Sequence, residues 1–470
     1  MNPSMKTAGM NPPASIRLLW AILLTVLLVR LGTLGLYPIM DTSEARYAEI
    51  ARKMLVSNDW ITPMFDHGVP FWGKPPLSFW LQALSMRLLG INEFASRFSS
   101  WLLHAASCLL IVQFAARERS LPVGLTAAII YSTCALGFFA SGAVLTDGAL
   151  AFALLLAHLG LWRGLAHADR GWALLGFFGL GLGLLAKGPL ALVLIALPAA
   201  LWLALTGHWR RLLCLPWLPG IALMSAVALP WYWLAEQKTP GFLEYFIVGE
   251  HFSRYVISRW QGDLYGSAHA EPLAMIWVHL LGALVPWALF LPLLVKWRAS
   301  LPGQREYFIF VLTWAISTPL FFTLSTNILW TYVLPALPAW ALLLAEVICR
   351  KVRTSVITIV ALALPVASCA LLISGKVDDR PQNQKTVVAL WKAQQAAAPG
   401  DLIYPGSRSY SAQFYSSGWA RHTEQLPLSQ DFYRVHRLGD QPLAPPTSAS
   451  CALVGQANAS DLYYCRVGPP

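Results

Sequence analysis

Charge is what this 470-residue chain has least of. Lys, Arg, Asp and Glu together make up 12% of it, about half of the roughly 25% found in soluble domains. A soluble enzyme and a disordered chain both need more solvating charge than that, and both are excluded. Cysteine is sparse too, seven in all, with no CxxC pair and no His/Cys spacing of a structural zinc site. That excludes a small disulfide scaffold. Internal repeats and low-complexity tracts are absent. What the chain has instead is apolar surface: 56% hydrophobic residues and 21 Trp. The apolar residues come in runs of about 20, the length that crosses roughly 30 Å of hydrocarbon as a helix. The sequence therefore describes an all-α polytopic membrane protein.

The formal charge of +11 is a matter of topology rather than of nucleic-acid binding. Its basic residues cluster between apolar runs: Arg117 with Arg119, Arg163 with Arg170, Arg210 with Arg211, Lys296 with Arg298 and Arg305, and Arg350-Lys351 with Arg353. Such clusters mark cytoplasmic loops. Lys6 and Arg17 precede a first run over 18–37, which has no small-residue cleavage site after it and reads as an anchor. Further runs lie at 95–116, 120–139, 144–165, 172–187, 189–206, 213–234, 273–295, 306–324, 331–348 and 355–374. Eleven transmembrane helices from a cytoplasmic N-terminus place every basic cluster inside. The loops near Ser141, Lys187 and Asn327, almost free of Arg and Lys, then lie outside.

Residues 1–375 form the membrane domain in this reading. Its first periplasmic loop, 38–94, has the apolar spacing of amphipathic interfacial helices, and its second covers 235–272. Residues 376–470 turn soluble in composition and read as a small C-terminal α/β periplasmic domain. Five cysteines fall in or beside spans as small apolar residues. Cys451 and Cys465 flank two strand-like runs of the tail; they are candidates for a disulfide, which spacing alone neither requires nor forbids.

Ionisable residues at a membrane face carry a cost and call for a reason. Asp41 and Glu44 stand three apart at the head of a helix, followed by Arg46 and Tyr47. They fit a capping box or a catalytic base. Lys74, in the Pro-bounded turn "WGKPPL", is a snorkelling lysine or a ligand for phosphate. Asp147 is a helix N-cap or a site residue, and Lys187 is the sole charge of a short outer hairpin. The second loop adds Glu250, His251, Arg254, Arg259, Asp263 and His269, which either solvate it or line a charged outer cavity. Tyr332 sits beside the outer end of a late span.

"EARYAEIARKML", "NDWITP", "GKPP", "VLTD", "AKGP", "GFLEYFIVGEHFSRY" and "STNILWTYVLPALP" resemble, in order across residues 37–345, the bacterial GT-C integral-membrane glycosyltransferases. The resemblance is to the lipid A aminoarabinose transferases and the dolichyl-phosphate-mannose protein mannosyltransferase-like group. It implies an inverting transferase of the inner membrane that takes a sugar from undecaprenyl phosphate at the periplasmic face. Lipid A, or another lipopolysaccharide glycan, would accept the sugar. The implied partners are the polyprenyl-phosphate donor, a glycolipid or glycan acceptor and membrane lipid, without nucleic acid. No cofactor is assigned, and a divalent metal is left open. Asp41, Glu44 and Asp147 are the implied catalytic residues. Arg46, Tyr47, Lys74, Lys187, His251, Arg254, Arg259 and Tyr332 are the implied substrate and phosphate ligands. The family's first-loop motif is Asp-Glu, a small residue, then Arg-Tyr; here Ser43 replaces the aspartate, leaving the base to Asp41 or Glu44. Gly73 likewise stands where the aminoarabinose transferases have glutamate. The alternatives are a protein O-mannosyltransferase-like activity and a lipid-linked sugar transporter or flippase; a transporter would place its charges near the midplane.

Overall fold

Each of the eleven apolar runs is helical in the computed structural model of the chain, which describes residues 16–66, 68–257, 260–266, 270–295, 305–325, 327–406, 408–423, 430–437 and 449–467. Among the described residues, six helices are long and apolar enough to cross a membrane, or seven if a bent pair counts as one span: Ile16–Thr33, Glu93–Glu118, Thr146–His167, Trp217–Lys238, Trp330–Lys351 and Thr354–Ile373 are the six. The run expected as one span over 273–295 is instead two helices, Met275–Ala283 and Trp287–Val295, bent by 99°. Pro286 stands at the break, where it has no N–H to donate. The run expected over 120–139 is likewise divided at Cys134 into Leu121–Thr133 and Ala135–Ala140.

The chain forms two compact units. The first combines Met1–Gly32, Pro70–Ser78 and Ser99–Ala367; the second combines Thr33–Val69, Phe79–Phe98 and Ser368–Pro470. The first loop thus contributes to both units, and most of it is joined with the tail.

The first unit is a helical bundle. Its largest fully buried side chains include Trp202, Trp287 and Trp314, and each indole donates a hydrogen bond inside the bundle. Trp202 reaches the Glu306 carbonyl at 3.0 Å, Trp287 the Thr133 hydroxyl at 2.9 Å and Trp314 the Pro335 carbonyl at 3.1 Å. A buried indole needs such a partner. Helices Thr146–His167 and Arg170–Lys187 form an antiparallel hairpin whose backbones touch through glycine. A Cβ on Gly160 would lie 2.4 Å from the Trp172 carbonyl and 2.5 Å from Gly176. Small residues allow this close approach in a bilayer, where apolar burial does not drive helices together. The contact holds the start of one helix beside the end of the other, and so brings Asp147 to Lys187.

The second unit is built on helix Ser43–Ser57 and the tail. The tail carries helix Lys385–Gln394 against a five-stranded sheet. Strand order across the sheet is Arg421–His422, Asp401–Tyr404, Phe432–Arg437, Ser460–Val467, Ala449–Ala457. The first three are parallel neighbours and the last three antiparallel ones. Val387, Val388 and Trp391 of the helix close a core with Leu402, Tyr404, Tyr433, Val435 and Leu462 of the sheet. Cys451 and Cys465 are register partners on the last two strands and form a disulfide, with Cα atoms 4.0 Å apart.

Gly160→Val should separate the hairpin. The expected loss is about 1–3 kcal/mol, the cost of overpacking a tight contact, read as a lower midpoint of thermal unfolding in detergent. An unchanged midpoint would show that the helices can slide apart without penalty.

Candidate functional site

Lys74 is placed by a tightly pinned turn. Tyr265 donates its hydroxyl to the Pro70 carbonyl at 2.9 Å and accepts the Trp72 amide at 2.9 Å; the Trp72 indole donates to Thr239 at 3.1 Å. Ser78 closes the segment onto the Leu145 carbonyl at 3.3 Å. Phe71 and Tyr265 close so tightly over Gly73 that an added Cβ would lie 3.0 Å from the first ring and 3.3 Å from the second.

The residues that face Lys74 come from a widened helix, Glu244–Ser253, with i→i+5 hydrogen bonds. Such segments are rare and concentrate at functional sites. Glu250 accepts from Lys74 Nζ at 3.1 Å, from Arg254 Nη1 at 3.1 Å and from the Tyr245 hydroxyl at 3.2 Å. Arg254 also pairs with Asp263 at 3.3 Å. Burial by itself would raise the Glu250 carboxyl, but Lys74 and Arg254 outweigh it and hold its pKa below the ordinary carboxylate value. The Arg254 guanidinium is correspondingly held charged: burial lowers its pKa, and Glu250, Tyr332 and Asp263 more than offset that.

Lys187 is 7% exposed and stands 2.5 Å from Asp147, with its ammonium 4.3 Å from the centre of the Tyr332 ring. His251 sits between two carbonyl oxygens, Phe246 on Nδ1 and Lys187 on Nε2, both at 2.8 Å. Burial lowers its pKa, with the two carbonyls opposing.

These side chains enclose a cavity of about 180 Å³ in the first unit. Lys74, Lys187, Glu250, His251, Arg254 and Tyr332 line its polar side, and Leu190, Val193, Phe321 and Phe322 its apolar side. The cations Lys74, Lys187 and Arg254 are matched by Glu250, Asp147 and Asp263, so the cluster is neutral as a whole. Asn327 also lines it. The Asn327 Nδ2 donates to the Arg254 carbonyl at 2.6 Å and to that of Ile257 at 3.0 Å, while its buried Oδ1 has no donor among the described residues. A hollow with one apolar wall, two cations on a displaceable carboxylate and an open acceptor suits an anionic head group that bears hydroxyls and an apolar chain.

Of the residues singled out in the sequence, the first unit thus brings together Lys74, Lys187, Asp147, His251, Arg254 and Tyr332. Arg259 and His269 lie outside the described residues. Asp41, Glu44, Arg46 and Tyr47 belong to the second unit. Asp41 accepts from Ser409 Oγ at 2.7 Å and the Ser411 amide at 2.9 Å, with Arg437 at 3.8 Å. Burial pushes its carboxyl above the ordinary value, against those three partners. Glu44 receives both arms of Arg97, at 2.8 and 2.9 Å, and the Met40 amide at 3.3 Å. Helix Ser43–Ser57 begins without a side-chain cap, so the expected capping box is not made: Glu44 reaches the Met40 amide, while Asp41 turns to the tail and gives its own amide to the Gln382 carbonyl. Arg46 lies 5.3 Å from the Tyr47 ring centre and 6.0 Å from that of Tyr410; Tyr47 packs on Phe79. Glu250 and Asn327 are the residues whose importance the sequence understated. The i, i+4 spacing of Glu250 and Arg254 is the signal that was there to be read. Among the described residues, no group of three or more His, Cys, Asp or Glu is placed to hold a metal ion.

Asp41→Asn should loosen the tail from helix Ser43–Ser57. The expected cost is about 1–3 kcal/mol for disrupted buried hydrogen bonds, visible as earlier thermal unfolding and faster proteolysis of the tail in the full chain.

The comparisons with known proteins agree with this architecture. The family model described as dolichyl-phosphate-mannose-protein mannosyltransferase matches residues 14–246. An undecaprenyl phosphate-alpha-4-amino-4-deoxy-L-arabinose arabinosyl transferase of Erwinia tasmaniensis is 31% identical over 325 residues, covering 67% of this chain and 56% of the relative. A second transferase of that name, from Pseudomonas fluorescens, is 32% identical over 346 residues, covering 72% and 60%. The chain therefore spans less than two thirds of the length of these curated relatives. ArnT from Cupriavidus metallidurans, solved bound to undecaprenyl phosphate, superimposes with a TM-score of 0.81 over 96% of this chain and 98% of that one, at 17% identity. At that identity the likeness concerns the fold. The resemblance seen in the sequence motifs is thus found in the fold as well, and this multi-pass membrane chain is similar throughout its bundle to the GT-C glycosyltransferases of the aminoarabinose-transferase kind.

Proposed function

We propose that the chain is an inverting glycosyltransferase. It moves a sugar from undecaprenyl phosphate to lipid A or a related envelope glycolipid, at the periplasmic face of the inner membrane. The observation that carries this reading is the cavity in which Lys74 and Arg254 converge on Glu250 beside an apolar wall. The relatives named as undecaprenyl phosphate arabinosyl transferases support the same donor.

The leaving group is a lipid phosphate. In a site of low dielectric, cations already in place stabilise its departing charge without reorganisation. Lys74 and Arg254 supply them once the phosphate takes the seat of Glu250. Lys187, already neutralised by Asp147, holds the Tyr332 ring at the rim. His251, fixed between two carbonyls, braces the wall. The Asn327 carbonyl accepts from a sugar hydroxyl, and the prenyl chain lies along Leu190, Val193, Phe321 and Phe322.

A phosphate acceptor is already ionised and needs no base; a hydroxyl acceptor does. Of the carboxylates in the first-loop motif, Glu44 is the better candidate. Its side chain is 16% exposed against 5% for Asp41; both carboxylates are held, Glu44 by Arg97 and Asp41 by the tail, so exposure is what distinguishes them. Arg46 and Tyr47, on the next turn, would then steer the acceptor, and Asp147 orients the donor through Lys187. Residues 1–375 act as the membrane catalytic domain, with 376–470 as the periplasmic domain that supports the first loop. A protein acceptor is the second reading, favoured by the mannosyltransferase description of the matching family model.

Transfer measured with a radiolabelled undecaprenyl-phosphate sugar should fall about 10²–10³-fold in Lys74→Ala and in Arg254→Ala, as for loss of one electrostatic stabiliser. It should fall about 10²–10⁴-fold in Glu44→Gln if the acceptor is a hydroxyl. Full transfer in both cation variants would overturn the site. Mass spectrometry of envelope glycolipids and glycoproteins, with and without the chain, separates the two acceptors.

Glu250→Gln gives a further outcome. Removing the competing carboxylate charge should tighten undecaprenyl phosphate binding by roughly tenfold, or about 1.4 kcal/mol. Weaker binding would mean that Glu250 holds the cations in position rather than occupying the phosphate seat.

A further inference from the structure

The second unit holds a cavity of its own, of about 860 Å³, within the roughly 300–1,000 Å³ of small-molecule sites. It is walled by the C-terminal half of helix Ser43–Ser57, by the short segment around Asp66 and by the tail from Gln413 to His422. Nothing in the transferase reading uses it.

Three observations define its chemistry. Gln413 is 3% exposed and lines the cavity, yet its buried Oε1 has no donor among the described residues. A neutral carbonyl of that kind is completed by a hydroxyl or an amine, not by an anion. Trp419, by contrast, is 60% exposed on the lining. It offers a flat face of the kind on which the C–H face of a sugar ring stacks.

The third observation is charge. Arg52 and Lys53 line the cavity and are nearly buried, at 6% and 9% exposure. Glu49 gives both oxygens to Arg52, at 2.6 and 2.8 Å, and stays 3.8 Å from Lys53. Asp66 takes Arg408 at 2.9 Å and is 3.9 Å from Lys53. Arg421 stands 3.6 Å from Asp401. Among the described residues, four cations therefore share three carboxylates; Lys53 has the most distant of these acidic partners and gives its hydrogen bond to the Phe65 carbonyl, at 3.0 Å. Gly418 completes the wall at φ +91°, and a Cβ there would lie 2.7 Å from Arg52 Nη2. The turn closes on the guanidinium because it has no side chain.

We propose that this cavity binds a saccharide carrying an anionic group, phosphate or carboxylate. Gln413 accepts from its hydroxyls, Trp419 stacks on a ring, and Lys53, Arg52 and Arg421 face the charge. The proposal stands apart from the transferase reading, since it concerns binding in the second unit alone.

The test uses the full chain in nanodiscs, with glucosamine 6-phosphate as probe and saturation-transfer difference NMR as readout. Trp419→Ala and Arg421→Ala alter exposed side chains, so unchanged thermal unfolding serves as their folding control. Each should weaken binding by roughly tenfold or more, the scale of one or two lost polar or stacking contacts. Glucosamine and inorganic phosphate, each alone, should bind more weakly than the phosphosugar. Lys74→Ala should leave phosphosugar binding intact even where it abolishes transfer, which separates this proposal from the preceding one. Equal binding in both tail variants, equal binding of inorganic phosphate, or loss of binding in Lys74→Ala would each overturn it.

Discussion

A carboxylate suspended between Lys74 and Arg254, in a hollow with an apolar wall, is the interaction on which the membrane unit turns. Taking any of these three charges out of water alone would be costly, and breaking a buried pair leaves the survivor uncompensated. Together with Asp263, which pairs with Arg254, they form a neutral cluster that a bilayer-embedded bundle can hold. The same rule recurs elsewhere in the bundle: Asp147 meets Lys187, and Arg119 meets Glu346. The pairs at Glu250 and at Lys187 both border the cavity that holds an open acceptor, Asn327. There, in the proposed reading, electrostatic necessity becomes a means of recognition.

The second unit depends on a different kind of pairing, in which the first loop and the tail complete one another. Asp41 is satisfied by Ser409, Ser411 and Arg437, and Tyr415 receives the Ile39 amide at 2.7 Å while donating to Glu93 at 3.0 Å. Arg97, fully buried, gathers Glu44 together with the carbonyls of Leu34, Tyr37 and Pro38. The segment leaving the first helix is thereby fixed from both sides. A loop that sequence composition marks as interfacial gains a rigid geometry from residues more than three hundred positions away.

That separation explains what could be read in the sequence and what could not. The helices were legible because membrane insertion imposes a long apolar run that composition cannot hide. Lys74, Arg254 and Tyr332 were legible as charged or aromatic residues at an apolar boundary, where each needs a reason to be present. Breaks such as those at Cys134 and Pro286 were not, since hydropathy registers length and polarity but not direction. Partner choice was hidden too. Glu250 meets Lys74 across 176 residues, and Asp41 meets Ser409 across 368; no local spacing encodes either meeting. The helix-capping role expected of Asp41 was a fair local inference, overridden by a tertiary one.

The widened helix Glu244–Ser253 has a further consequence for how such a pocket can change over time. A π-segment holds its extra width by accommodating surplus residues within otherwise ordinary helical turns. Removing a single residue upstream of Glu250 would let the coil tighten to 3.6 residues per turn, the surplus residue leaving while the flanking turns keep their facing. Glu250 and Arg254 would keep their mutual spacing, while Tyr245, which donates to Glu250 from within the widened stretch, would lose its place. One codon lost or gained is then enough to change which hydroxyl reaches Glu250 while the charges around it stay where they are, an inexpensive route by which relatives sharing this bundle could diverge in what they admit.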